Sequence, residues 1–188
     1  IAARSRMTSP VFPDIEGALN WYVATKDGLF GLREAIRCGA ALSDATFDEL
    51  FGMTQAQWKT YYRKQAAKHE MFAALALFAA CEGGIRRDFE WRSTGGFGQA
   101  HQDRFRKLRA PANNAHVSLS SILEGWMAAE RNNRWLCQHL ARLLELFRQR
   151  NDLAHGRVLQ GIAFEPVYES MHLTREKWRA AVSDFRGY

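Results

Sequence analysis

At 188 residues, 47% of them apolar, the chain is long and apolar enough to bury a core of ordinary size, which excludes a disordered polymer and points to a single domain over residues 1–188. The 26 Lys and Arg outnumber the 20 Asp and Glu for a net charge of +6, and 20 of the 26 are Arg; this suits bidentate contact with phosphate and favours a polyanionic partner, a merely solvated basic surface being the alternative. The longest apolar run, the eleven residues from Met71 to Cys81, is too short to cross a bilayer, so no membrane partner is expected.

Met7-Thr8-Ser9-Pro10 reads as the approach to a turn rather than the apolar heart of an export signal. Pro13 fits the first turn of a helix running to about Ala41, with Ile15, Leu19, Tyr22, Val23, Phe30 and Ile36 at near-helical spacing. Ser43 to Phe51 forms a short helical turn. Thr54 and Gln57 make a capping box, with Met53 and Trp58 as its hydrophobic staple. A long helix follows from Gln55 to about Arg92, which Gly83-Gly84 is expected to kink. Ser93 to Gly98 is a loop, Gln99 to Arg109 a short basic helix, and Ala110 to His116 a second loop. Ser121 with Glu124 is a second capping box. From it one helix runs towards Arg150, with Leu136, Leu140, Leu143, Leu144 and Phe147 on its apolar face and Gly156 as a natural stop. Pro166 and Thr174 mark a last helical region ending near Phe185.

No strand-like alternation persists. The expected fold is all-α: an antiparallel helical bundle of four to five main helices with short accessory helices. The six Trp read as core or dimer contacts. Cys38, Cys81 and Cys137 are odd in number, far apart and form no Cys-x-x-Cys pair, which suits a reduced, cytoplasmic chain.

Several catalytic signatures are missing. There is no phosphate loop, no Gly-x-Gly-x-x-Gly and no Gly-x-Ser-x-Gly elbow, and His69-Glu70 lacks the second His of a zinc protease. The dense segment is Arg148-Gln149-Arg150-Asn151-Asp152-Leu153-Ala154-His155-Gly156-Arg157. An Arg supplies fixed charge for a phosphate, a His titrates near neutrality, and an Asn can orient either. Asn151 and His155, four apart, share a helix face. These are ingredients for cleaving RNA without a metal or a cofactor: a base frees the 2′-hydroxyl to attack the adjacent phosphate, and cationic charge stabilises the transition state.

Arg-x(4–6)-His by itself occurs five times, at Arg63–His69, Arg109–His116, Arg134–His139, Arg148–His155 and Arg150–His155, where chance in so Arg-rich a chain supplies about two. Only Arg150 is followed by Asn and then by Ala-His-Gly. In that fuller form, behind a Leu-rich helix, the segment resembles the signature of the HEPN (higher eukaryotes and prokaryotes nucleotide-binding) superfamily. These are helical bundles, many of them ribonucleases, with the motif at a dimer interface. Glu82-Gly83-Gly84-Ile85-Arg86 is similar to a second superfamily motif, Glu-x-x-x-Lys/Arg on an earlier helix; read without the resemblance, Glu82 and Arg86 are an i,i+4 ion pair.

The resemblance implies a metal-independent endoribonuclease of the toxin or phage-defence kind, working as a homodimer on RNA, with an antitoxin or defence-system protein as a further partner. Arg150, Asn151 and His155 would be the catalytic set, supported by Glu82 and Arg86. Two copies facing across a two-fold axis would supply the base and acid that one His cannot. Toxins of the superfamily paired with nucleotidyltransferases often carry Tyr two residues after the His; Arg157 stands there, which argues against that subgroup. From Arg86 to Arg109 there are seven cations and three acids. The expected RNA-contacting residues are Arg87, Arg104, Arg106, Lys107 and Arg109, with Arg148 and Arg157 beside the motif. A binding module without catalysis, or a structural dimerisation domain, remains open on the sequence.

Overall fold

The spine is a forty-residue helix. In the computed structural model, which describes residues 13–40, 43–95, 98–110, 116–155, 157 and 161–188, helix α3 spans Gln55–Thr94. Thr54 and Gln57 close its capping box as expected. It joins α1 (Ile15–Arg37), α2 (Asp44–Leu50), α4 (Gln102–Arg109), α5 (Leu119–Ala129), α6 (Arg134–Ala154) and α7 (Phe164–Ala181). The architecture is an all-α bundle, with no strand among the described residues.

Five boundaries differ from the sequence expectation, one being the start of α4, at Gln102 rather than Gln99. Pro13 precedes the first turn of α1, because the Asp14 carboxylate caps it by accepting from Gly17 N–H at 2.8 Å. The helix stops at Arg37 because Gly39 turns left-handed, at φ +73°. The single helix expected from Ser121 towards Arg150 is two: Ser118, not Ser121, caps α5, and the chain breaks before Asn133, which caps α6 through Leu136 N–H at 3.1 Å. The last helix ends at Ala181, and Phe185 folds back to stack on Trp178 with ring centroids 4.1 Å apart. The expected stop at Gly156 lies outside the described residues, as do Ala41, Gly96-Phe97 and most of the loop before His116.

Gly83-Gly84 do not interrupt α3, which runs through them as one helix. Gly84 is there for close approach: a Cβ on it would sit 2.1 Å from the backbone nitrogen of Tyr188. The segment after α7 therefore lies directly on α3. Trp126, Trp178, Phe105 and Phe185 form the aromatic centre of the core, while Trp135 and Trp21 stay exposed. The buried residues of α3 begin at Ala73 and those of α1 stop at Tyr22. Beyond these, α1 and α3 run on as an antiparallel two-helix arm, marked by the pairs Tyr22–His69 and Phe30–Tyr62. At the base of the arm Tyr22 donates to Glu70, and Glu70 accepts from Phe164 N–H at 2.9 Å, tying α1, α3 and α7 together. No helix among the described residues is long and apolar enough to cross a membrane.

An alanine in a helix interior normally gains about 1 kcal/mol over glycine. Gly83→Ala meets only the flexible end of Arg87 and should be neutral or stabilising by that order. Gly84→Ala meets backbone and should destabilise by about 1–3 kcal/mol; denaturant midpoints of the two variants should move in opposite directions.

Arg175 of α7 donates to both carboxylate oxygens of Glu16. That hydrogen bonding, helped by the charges of Arg175 and His172 and opposed by partial burial, holds the Glu16 carboxyl below its ordinary value of 4.5. A depressed folded-state pKa stabilises above the ordinary value and is lost as pH falls through the depressed one. Wild type should therefore melt above Glu16→Gln at neutral pH, and the gap should close in strong acid; a gap constant across that range would contradict the assignment.

Candidate functional site

Leucines 136, 140, 143 and 144 and Phe147 turn one face of α6 into the core. Arg150, three residues past Phe147, continues that face to the rim of the bundle. Its guanidinium lies 5.5 Å over the Phe147 ring, and its side chain is three-quarters buried. On α3, Phe78 meets Phe147 edge to face at 5.3 Å. Glu82, one turn further along α3, meets Arg150.

The two sequence motifs thus become one cluster. Arg150 Nη2 donates to Glu82 Oε2. Arg86 Nε donates to Glu82 Oε1 at 2.8 Å, and Arg86 Nη1 to the Val117 carbonyl at 2.9 Å. One carboxylate against two guanidinium groups leaves a net positive charge. The Nε of Arg150 is buried with no acceptor among the described residues. Glu82, Arg86, Arg150 and Asn151 line a cleft of about 470 Å³.

Sequence reasoning missed the far wall of that cleft. Ser118, Leu119 and Ser120, the start of α5, line it. A helix N-terminus presents unpaired N–H groups and the positive end of its dipole. The signal was Ser118-x-x-Ser121, which competes with the Ser121/Glu124 box; in the structure Ser118 Oγ accepts from Ser121 N–H at 3.0 Å. Three positive features, Arg86, Arg150 and the start of α5, therefore face one space, against the carboxylates of Glu82 and Glu124 on its lining.

His155 lies just beyond the cleft as the C-cap of α6, exposed, and donates its backbone N–H to the Asn151 carbonyl at 3.0 Å. No side-chain contact joins it to Asn151 or Arg150 among the described residues, so a single chain brings together the Arg150 end of the motif but leaves the imidazole facing solvent. Among the described residues no three of His, Cys, Asp and Glu gather as a metal-ligand set.

The expected RNA-contacting residues divide. Arg87, Arg104 and Lys107 are exposed. Arg106 instead donates to the Gly95 carbonyl at 2.8 Å, and Arg109 to Glu90 and to Ser93 Oγ, so both fasten α4 to the end of α3. Arg148 lines the cleft and pairs with Glu145 at 3.4 Å; Arg157 pairs with Asp152 at 3.3 Å.

A scan of family models matches nothing in this chain, and neither a curated protein nor a solved structure matches it.

The Glu82–Arg150 contact is partly buried and joins helices far apart in sequence. A double-mutant cycle of Glu82→Ala and Arg150→Ala, read by chemical denaturation, should give a coupling of about 1 kcal/mol; a coupling of zero would reduce the pair to a surface contact.

Proposed function

We propose that the chain is a metal-independent endoribonuclease of the HEPN type, whose complete site forms where two copies meet. The observation that carries the reading is the convergence of Glu82, Arg86 and Arg150 on one cleft with Asn151. Two motifs picked out independently in the sequence are direct partners in space.

The chemistry is an internal transesterification. The RNA 2′-oxygen loses its proton to a base and bonds to the adjacent phosphorus. The bond from phosphorus to the 5′-oxygen breaks, and an acid protonates that leaving oxygen. The products are a 2′,3′-cyclic phosphate and a 5′-hydroxyl. Arg150 holds the phosphate, its free N–H groups matching the oxygens on which negative charge grows. Glu82 and Arg86 are positioning residues that aim the Arg150 guanidinium. Asn151 orients the phosphate or the imidazole. His155 exchanges the proton. Because its imidazole faces solvent, a second copy can bring a second His155 to the opposite side of the phosphate, so that one acts as base and the other as acid.

Single-stranded RNA incubated with wild type in EDTA should be cut to cyclic-phosphate ends. Arg150→Ala and His155→Ala, shown folded by circular dichroism, should each lose about 10²- to 10⁴-fold in rate. Mixing the two inactive variants should restore part of the activity if the site is shared between copies. Full activity in either folded variant refutes the reading, and salt-sensitive binding without product assigns the cleft to a binding module.

A further inference from the structure

Before its first buried residue, α3 carries Lys59, Arg63, Lys64 and Lys68, and no acid occurs from Gln55 to His69. All four cations are exposed, and none has an ion-pair partner among the described residues. This differs from Arg86, Arg92, Arg109, Arg150 and Arg175, each of which meets a carboxylate. Lys64 and Lys68 rim a groove of about 510 Å³ on the arm together with Gln57 and Tyr61; one carboxylate, Glu49 of α2, shares it.

Helix geometry connects this groove to the cleft. Lys64 and Glu82 are eighteen residues apart, five turns at about 3.6 residues each, so they lie on the same side of α3. Lys68 and Arg86 follow each of them by one turn. The stripe Lys64, Lys68, Phe72, Ala79, Glu82 and Arg86 contains no buried residue. Phe72, midway, is 58% exposed, so its ring is open to solvent and able to take a stacked base. From Lys64 to Glu82 the uninterrupted helix rises about 27 Å, the length of about eight stacked nucleotides.

We infer that a single-stranded RNA runs along this face of α3, its phosphates on Lys64 and Lys68 and a base on Phe72, to deliver a phosphodiester to the Arg150 cleft. The choice of RNA as the polyanion rests on the ribonuclease reading; the charge complementarity and the continuity with the cleft do not. Lys59 and Arg63 flank the track and add to its field. Cations at separate phosphates give affinity without sequence preference, and an aromatic platform accepts any base. The enzyme would select for unpaired strand of sufficient length, since a base inside a duplex cannot reach Phe72.

The test measures fluorescence anisotropy of labelled RNA on the His155→Ala chain, so that no substrate is consumed. Strands of about twelve and about four nucleotides are compared. Lys64→Gln with Lys68→Gln should weaken the longer strand about tenfold and lower its log–log salt slope by about 1.4, two contacts at about 0.7 each. Phe72→Ala should weaken it by about 5- to 100-fold. Both losses should shrink on the shorter strand. The charge-matched control Arg142→Gln with Lys177→Gln, on α6 and α7, should bind as the parent does. Equal losses in the control, losses independent of length, or binding to phosphatidylserine vesicles in place of RNA overturn the track. If wild type cuts RNA while the lysine variant binds the long strand unchanged, the track fails and the ribonuclease stands. If wild type cuts nothing yet long-strand binding falls as described, the track stands and the catalytic reading fails.

Discussion

A guanidinium with no exposed surface must find acceptors for its N–H groups inside the protein, and Arg92 is such a group. Its Nε and Nη2 donate to the Asp88 carboxylate at 2.8 and 3.2 Å, its Nη1 to the Ala100 carbonyl at 2.7 Å, and its Nη2 also to Asp184 at 2.9 Å. The acceptors come from α3, from the segment before α4, and from the segment after α7. Asp184 in turn accepts from Ala100 N–H, and Asp88 from Arg186 N–H. The ring of Trp126 lies 4.7 Å from the guanidinium carbon. Burial raises the Asp88 carboxyl above its usual range even against the Arg92 and Arg186 hydrogen bonds. The network thus carries a desolvation cost, and it ties the chain after α7, where Tyr188 closes on Gly84, to α3 and to the segment before α4.

That closure matters because α3 serves the core and the candidate site at once. One side of its second half packs against α4, the C-terminal segment and α7. Another presents Glu82 and Arg86. With the helix held on its core side, the carboxylate of Glu82 is presented to α6 at a fixed height, one turn from the Phe78–Phe147 contact that sets the crossing. Arg150 is then oriented by ion pairing on one side and by an aromatic ring beneath. A long, flexible side chain gains direction this way without losing the N–H groups that a phosphate needs.

The distribution of arginines follows the same logic. Where an Arg stitches segments together, its partners are fixed oxygens: carbonyls for Arg86, Arg92 and Arg106, carboxylates for Arg92, Arg109 and Arg175. Where lysines gather without partners, on the first half of α3, there is no core to stitch. A net charge alone does not separate these uses, because a cation committed to a buried carbonyl and one open to solvent count equally.

Local chemistry was enough to read much of this chain. Helical periodicity and low β-branched content imply an all-α fold, and the Thr54 capping box places the start of α3, because caps and apolar faces depend on residues within a turn or two of one another. The Asn and the Ala-His-Gly that follow Arg150 set it apart from the other four Arg-x(4–6)-His matches only through the family resemblance they carry. Gly84 could not be read that way. In sequence it is a weak point in a helix; in the folded chain it is the one size of residue that lets Tyr188 approach. Arg106 and Arg109 looked like open cations until α4 packed against the end of α3. Asp184, ninety-two residues from Arg92, left no trace in spacing, and Ser118-x-x-Ser121 marked where α5 starts but not that this start faces Arg86 and Arg150. Contacts across such separations are set by how helices stack and where segments return, and pattern along a single chain does not encode which distant acceptor a buried donor will find.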